Sequence, residues 1–196
     1  GKERKTEIRT FDTIDATKVA VANTRFYVDR EEGFIGTSLK KDEFLFECSD
    51  IDDIVVFKDD GSMIVTKVDA KTFVGKGIIH IDIWHKNDKR TIYNLIYRDG
   101  KNGPAYQKRF AVTGITRDKE YDLTAGNKGS EVLYFSANPN GEAEVVSVIL
   151  KTHQRIKKLK FDINFADLAI KGRASKGNLV TKYPIKKVEL KEEGVS

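Results

Sequence analysis

The sequence predicts an all-β, propeller-like domain of about five hairpin-based blades, and three observations lead there. Apolar and polar residues alternate with a period of two through most of the chain, and no helical period persists beyond a turn or two. Polar turns carrying glycine separate paired β-rich runs. The paired runs also recur, with apolar starts at Val19, Ile54, Ile92, Val132 and Ile163, which lie 35, 38, 40 and 31 residues apart. A repeat of that length, built from hairpins that need neighbours to cover their apolar faces, indicates stacked or radial β units. The units lack the Trp-Asp pair and the double glycine of the commonest propeller repeats, and a sandwich of similar hairpins is the alternative.

Taken in order, residues 1–16 read as a linker within a longer protein, residues 17–191 as the β domain and residues 192–196 as a tail. The first unit is "KVAVANTRFYVDREEGFIGTSL", with its turn at the acidic run before Gly33. The second, "DIVVFKDDGSMIVTKV", is the clearest hairpin, because Asp60-Gly61 favours the positive dihedrals of a tight turn. The third is "RTIYNLIYRDGKNGPAYQKRFAV", the fourth "EVLYFSANPNGEAEVVSVIL" and the fifth "FDINFADLAIKGRASKGNLVTKYPIKKVEL". In the fifth, Lys171–Gly177 reads as a basic hairpin turn.

At 39% hydrophobic and 33% charged, the 196-residue chain suits a soluble globular protein with a proper core. No apolar run is long enough for a helical membrane span, and a single cysteine excludes an internal disulfide. The charge is unevenly placed. Residues 1–150 hold 23 Lys or Arg against 25 Asp or Glu, whereas residues 151–191 hold 12 against 3. Such a split marks a partner-binding end, and nucleic acid is the commonest anionic partner.

Catalytic patterns are missing. His80, Asp82 and Trp84 alternate with isoleucines in "IIHIDIW" and are expected on one strand face, but a metal needs three or four ligands. Cys48 has no histidine near it in sequence, and Asp50, Asp52 and Asp53 lack the glycine and glutamate of a calcium loop. Neither a nucleophile elbow nor a phosphate-binding loop occurs. No metal or cofactor site is expected in this chain.

The stretches "DREEGFIGTSLKKDEF", "DDIVVFKDDGSMIVTKV", "YFSANPNGEAEVV" and "IKGRASKGNLVTKYPIKKVEL" resemble the C-terminal domain of the A subunit of bacterial type IIA topoisomerases. The likeness runs through nearly all of residues 17–191. It implies a β-pinwheel, a propeller-like disc whose blades exchange strands and whose basic rim bends DNA. The gyrase branch carries a Gln-Arg-Arg-Gly-Gly-Lys-Gly box. Laid over "KGRASKG", that box matches only at Arg173, Lys176 and Gly177. A degenerate box resembles topoisomerase IV more than gyrase. The family's DNA-cleaving tyrosine follows an arginine, and no Arg-Tyr pair occurs here. The resemblance therefore implies a non-catalytic part of an ATP-dependent isomerase, with its nucleophile, ATP and Mg sites elsewhere and residues 1–16 leading from the catalytic core. The partners it implies are duplex DNA, the ATPase B subunit of a heterotetramer and the rest of the A subunit. The location it implies is cytoplasmic and nucleoid-associated.

Cations in the turns are the expected DNA contacts, since Lys and Arg release counterions condensed on phosphates. They are Lys40 and Lys41, Arg98 and Lys101, Lys108 and Arg109, Lys128, then Lys171, Arg173, Lys176 and Lys182. The run "KTHQRIKKLKF" adds Lys151, Arg155, Lys157, Lys158 and Lys160, with Ile156 and Leu159 turned to the core. Gly172 and Gly177 are expected to give the backbone turn dihedrals near phosphate. A protein-docking propeller is the alternative function, supported by the acidity of residues 1–150.

Overall fold

The computed structural model describes residues 23–195, so the expected linker and the strand start at Val19 lie outside the described residues. Nearly all regular structure there is strand. Among the described residues, helix is confined to one 3-10 turn, Phe165–Asp167, and no helix is long and apolar enough to cross a membrane. The described residues fall into two compact units, 23–56 with 65–85, and 57–64 with 86–195.

The first unit contains β1 (Thr24–Asp29), β2 (Phe34–Gly36), β3 (Glu43–Cys48), the outer parts of β4 (Asp53–Lys58) and β5 (Ser62–Lys67), β6 (Thr72–Phe73) and β7 (Ile78–Trp84). One sheet has the order β3-β1-β2-β6. Its last member arrives from beyond the β4–β5 hairpin, and Phe34 faces Phe73 with rings 5.2 Å apart. The β1–β2 turn closes where Gly33 donates to the Asp29 carbonyl at 2.8 Å. Gly33 is obligatory there: its φ is +84°, and a Cβ would lie 2.4 Å from the Gly75 carbonyl carbon. In β7, burial recurs at Ile78, Ile81 and Trp84. Every third residue is therefore inside rather than every second, so Trp84 is buried while Asp82, expected on the same strand face, is exposed. Burial holds the His80 imidazole below its ordinary pKa, which favours the neutral ring.

The second unit holds the tip of the β4–β5 hairpin, β8 (Ile92–Arg98), β9 (Ala105–Ala111), β10 (Glu120–Asp122), β11 (Glu131–Asn138), β12 (Ala143–Leu150), β13 (Lys160–Asn164), β14 (Ile170–Gly172), β15 (Asn178–Thr181) and β16 (Ile185–Val195). β8 and β9 form the expected hairpin, and β8 is buried at six of its seven positions. A core cluster, Ile96, Val146, Val148, Leu150, Ile163 and Phe165, receives Ile156 and Leu159 from the basic run as expected. They get there from an irregular segment rather than from strand alternation.

Strand exchange, as the family resemblance implied, appears where the hairpin repeat by itself suggested self-contained units. β11 and β12 are joined by a tight turn, with Gly141 donating to the Asn138 carbonyl at 3.0 Å, yet they pair with different partners. β11 joins β8, while β12 lies between β13 and β16. β10 likewise pairs with the tip of β5 rather than with β9, which precedes it. The described residues thus form four sheets in which strands are lent to a neighbouring sheet, rather than one sheet per hairpin. β16 continues through Val195, where a tail was expected from 192. The reason is that β12 offers it partners as far as Ala143.

Candidate nucleic-acid interface

The basic segment Lys171–Gly177 is not a hairpin turn. The two strands it joins do not pair with each other; both pair with β9, on the edge opposite β8. β14 runs parallel to Arg109–Ala111, and β15 runs antiparallel to Ala105–Gln107. Between those two stretches of edge stands Lys108. Its ammonium donates to the Arg173 carbonyl at 2.7 Å and to the Ser175 carbonyl at 2.8 Å, so the loop closes over it. The Tyr97 hydroxyl donates to the Lys176 carbonyl at 2.6 Å. Gly177 lets the chain re-approach β9: its φ is +93°, and a Cβ would sit 2.3 Å from the Gln107 carbonyl oxygen. Gly172, in contrast, has no positive φ and open space around it, so only one of the two glycines has the expected backbone role.

The side chains of this loop lie on aromatic platforms. The Arg173 guanidinium is 4.0 Å from the Tyr121 ring centroid, and the Lys176 ammonium is 4.6 Å from that of Tyr106. Lys119 reaches the Tyr121 ring as well, at 5.1 Å. Neither Arg173 nor Lys176 forms an ion pair among the described residues. A guanidinium laid on a ring keeps its N–H edge available for an oxyanion. Sequence reading missed Tyr106, Tyr121 and Lys119. The only signal was a tyrosine next to cations in "AYQKRF" and "RDKEYD", and nothing there says which loop they support.

A second cationic group forms at a cleft of ≈ 200 Å³ lined by Arg98, Lys101, Lys151 and Lys182, with Leu133, Ala105 and Ile185 among its apolar members and no carboxylate. These cations come from three separate places in the sequence. The Lys151 amide donates to the Pro184 carbonyl at 3.0 Å, which fixes the start of the basic run beside the Lys182 turn. Arg98 is oriented by the Gly100 and Gly129 carbonyls at 2.8 and 3.1 Å and pairs with Glu131 at 3.4 Å. The Asn127 amide bonds Asp99 at 2.6 Å and the Gly100 amide bonds Ser130 at 2.8 Å, tying the turns that carry Lys101 and Lys128 together.

Most other expected contacts are exposed. Lys101, Lys128, Arg155, Lys157, Lys158, Lys160, Lys171, Lys176 and Lys182 all face solvent in the second unit, and Lys40 and Lys41 form the exposed β2–β3 turn of the first. Lys108 and Arg109 require correction, because they are 2% and 6% exposed. Burial pushes the Lys108 ammonium down to about 8, with Asp122 opposing the shift and Arg173 adding to it. Arg109 donates to Asn94 at 2.9 Å and to the Gly141 carbonyl at 3.0 Å, and Asn94 in turn bonds Glu144. Its guanidinium holds β8, β9 and the β11–β12 turn together. In both cases, alternation along β9 is overridden because neighbouring elements cover both faces.

No group of three His, Cys, Asp or Glu side chains converges on a metal-sized site among the described residues. Cys48 is buried, and burial pushes its thiol up to about 11, which leaves it an unreactive packing residue.

The chain has relatives among known proteins. It is 31% identical over 190 residues to the A subunit of DNA topoisomerase 4 from Borreliella burgdorferi, a match covering 96% of this chain and 28% of that protein. A crystal structure of the C-terminal domain of DNA topoisomerase IV is similar with a TM-score of 0.48 and 11% identity, over 87% of this chain and 62% of that one. The model of the Bacteroidota topoisomerase C-terminal domain matches residues 25–193, almost the whole described chain. The chain therefore belongs to the topoisomerase C-terminal domain family.

Proposed function

We propose that this domain binds and bends duplex DNA for a topoisomerase IV-type enzyme, guiding strand passage in relaxation and decatenation while the cleavage chemistry resides elsewhere. The observation that carries this reading is the carboxylate-free cleft where Arg98, Lys101, Lys151 and Lys182 meet. Cations so distant in sequence, gathered around a lining without carboxylates although Arg98 also pairs with Glu131 at its edge, suit a polyanion better than a protein surface of mixed charge. Bending a 20–30 bp site by 40–90° costs on the order of 1–6 kcal/mol, so several spaced contacts are needed. The loop at Arg173 and Lys176, the run Arg155–Lys160 and the turn at Lys40 and Lys41 supply further positions. This reading requires as partners the ATPase subunit, together with the remainder of the topoisomerase chain. ATP and Mg act there, and the assembly works in the cytoplasm on the nucleoid.

The test is duplex binding at two salt concentrations. Six phosphate contacts would lower affinity roughly a thousandfold between 50 and 200 mM salt, irrespective of sequence. Binding to a protein partner with little salt dependence, and none to duplex, would replace this reading with a docking role.

A further inference from the structure

We infer that Lys108 is a positioning residue for the DNA-binding loop: it holds residues 172–177 in the form that presents Arg173 and Lys176, and its charge state is coupled to anion binding there. The inference deepens the DNA-binding reading and rests on it. Three donors reach the loop from beneath, two from the Lys108 ammonium and one from the Tyr97 hydroxyl, and they take the carbonyls of Arg173, Ser175 and Lys176. Carbonyls drawn inward in this way fix the path of the residues whose side chains lie on Tyr121 and Tyr106. Lys108 has no carboxylate bonded to it; its other contact is the Phe110 ring, 5.0 Å from its nitrogen. It is thus a buried amine on neutral acceptors, beneath a loop whose exposed face is cationic.

The charged groups acting on Lys108 are Asp122 of β10, which favours the ammonium, and Arg173 of the loop, which disfavours it. From β8, Tyr97 contributes a phenol whose proton is retained, because burial raises its pKa. With a pKa near 8, the fraction of Lys108 that is neutral amine near and above that pH is poised to take up a proton when a phosphate arrives over the loop. By linkage, the phosphate then binds more tightly below that pH than above it. If a bound phosphate raises the Lys108 pKa by one unit, affinity changes about tenfold across the transition.

The experiment compares the full chain with Lys108→Met, Tyr97→Phe and the Arg173→Ala/Lys176→Ala pair, using a 40-bp duplex at pH 7 and pH 9 and constant salt. Amide hydrogen exchange of the free proteins is followed over residues 171–178. We expect wild-type affinity to fall about fivefold from pH 7 to pH 9, and Lys108→Met to bind weakly with a flat profile. Protection of the loop should be lost in Lys108→Met and reduced in Tyr97→Phe. If Lys108→Met retains wild-type affinity and pH profile while the Arg173/Lys176 pair binds more weakly, the inference is overturned and the DNA reading stands. If the wild type binds no duplex, the DNA reading fails. Loop protection then decides the positioning role, and unchanged exchange in Lys108→Met overturns it.

Discussion

Two turns of the second unit, both glycine-bearing and charged, are made in opposite ways. The tip of the β4–β5 hairpin, Lys58–Gly61, is closed by its own residues, and the Val132 and Leu123 amides only dock onto its Asp59 and Gly61 carbonyls, at 2.7 and 2.8 Å. Gly61 donates back to the Lys58 carbonyl at 3.0 Å, the Asp60 carboxylate accepts from the Ser62 amide at 2.8 Å, and only Gly61 takes a positive φ, +85°. Asp60 does not share the left-handed conformation expected of an Asp-Gly pair. The pattern is instead a turn through Asp59 and Asp60 closed by glycine. The loop Lys171–Gly177 has one local bond in its middle, from the Ser175 amide to the Gly172 carbonyl at 3.1 Å. The rest of its path is set by β9, Lys108 and Tyr97. A charged turn can therefore be closed by its own residues, or by a distant side chain that occupies its centre.

Replacing each glycine should give the widest separation. Gly177→Ala places a Cβ against the backbone of Gln107, which cannot move without breaking the β9 pairing, and should cost roughly 2–4 kcal/mol. At Gly61 the obstacle is the Thr124 methyl group, 2.3 Å from the ideal Cβ and able to rotate away, so Gly61→Ala should cost about 1–2 kcal/mol. Urea unfolding of both variants measures the difference, and equal losses would contradict the contrast between backbone and side-chain obstacles.

Charge removal should separate the turns next. Arg173→Ala/Lys176→Ala should weaken binding to every duplex about equally and reduce the slope of log K against log salt by roughly 1.8, at about 0.9 per phosphate contact. Stability should change little, because Lys176 is exposed and Arg173 is half-buried on the Tyr121 ring without an ion pair among the described residues. Unchanged affinity and slope would leave the cleft of Arg98, Lys101, Lys151 and Lys182 and the run Arg155–Lys160 as the binding surface.

A smaller effect comes from the buried amine. Lys108 has a folded pKa of about 8 against an ordinary 10.5, so between those values the unfolded chain binds more protons than the folded one. Stability must then rise with pH in that window, by roughly 1 kcal/mol from pH 8 to 9. Cys48 acts in the opposite sense. Its thiol is raised from 9.0 to about 11, so above pH 9 the unfolded chain loses a proton that the folded chain keeps. The rise should therefore flatten above pH 9. Lys108→Met should abolish the rise, and a denaturation series from pH 7.5 to 9.5 would detect both limbs.

The smallest expected effect is at the acidic tip. Burial, then Asp60 and Glu131, raise the Asp59 carboxyl pKa, so its ionised form is disfavoured in the fold. Asp59→Asn should leave stability within about 0.5 kcal/mol of wild type or slightly above it. DNA affinity should be unchanged or slightly higher, because a negative charge is removed. A clear loss of affinity would show that the acidic tip takes part in binding.

The sequence by itself determined the predominance of β structure, the hairpins β4–β5 and β8–β9, the cationic character of residues 151–191 and the family likeness. These depend on period-two patterning, turn chemistry and charge counts, all local or additive along the chain. Tertiary structure alone decided which strand is lent to which sheet, because β11 and β12 have the same pattern as a paired hairpin and differ only in their partners. It also decided which cations are available. Lys108 and Arg109 look like surface residues in "AYQKRFAV", yet β9 is covered on both faces, so their charges bond carbonyls and amides inside. Burial and strand partnership arise between segments far apart in sequence. The sequence therefore located the basic region, and only packing separated the cations that face solvent from those buried against backbone carbonyls.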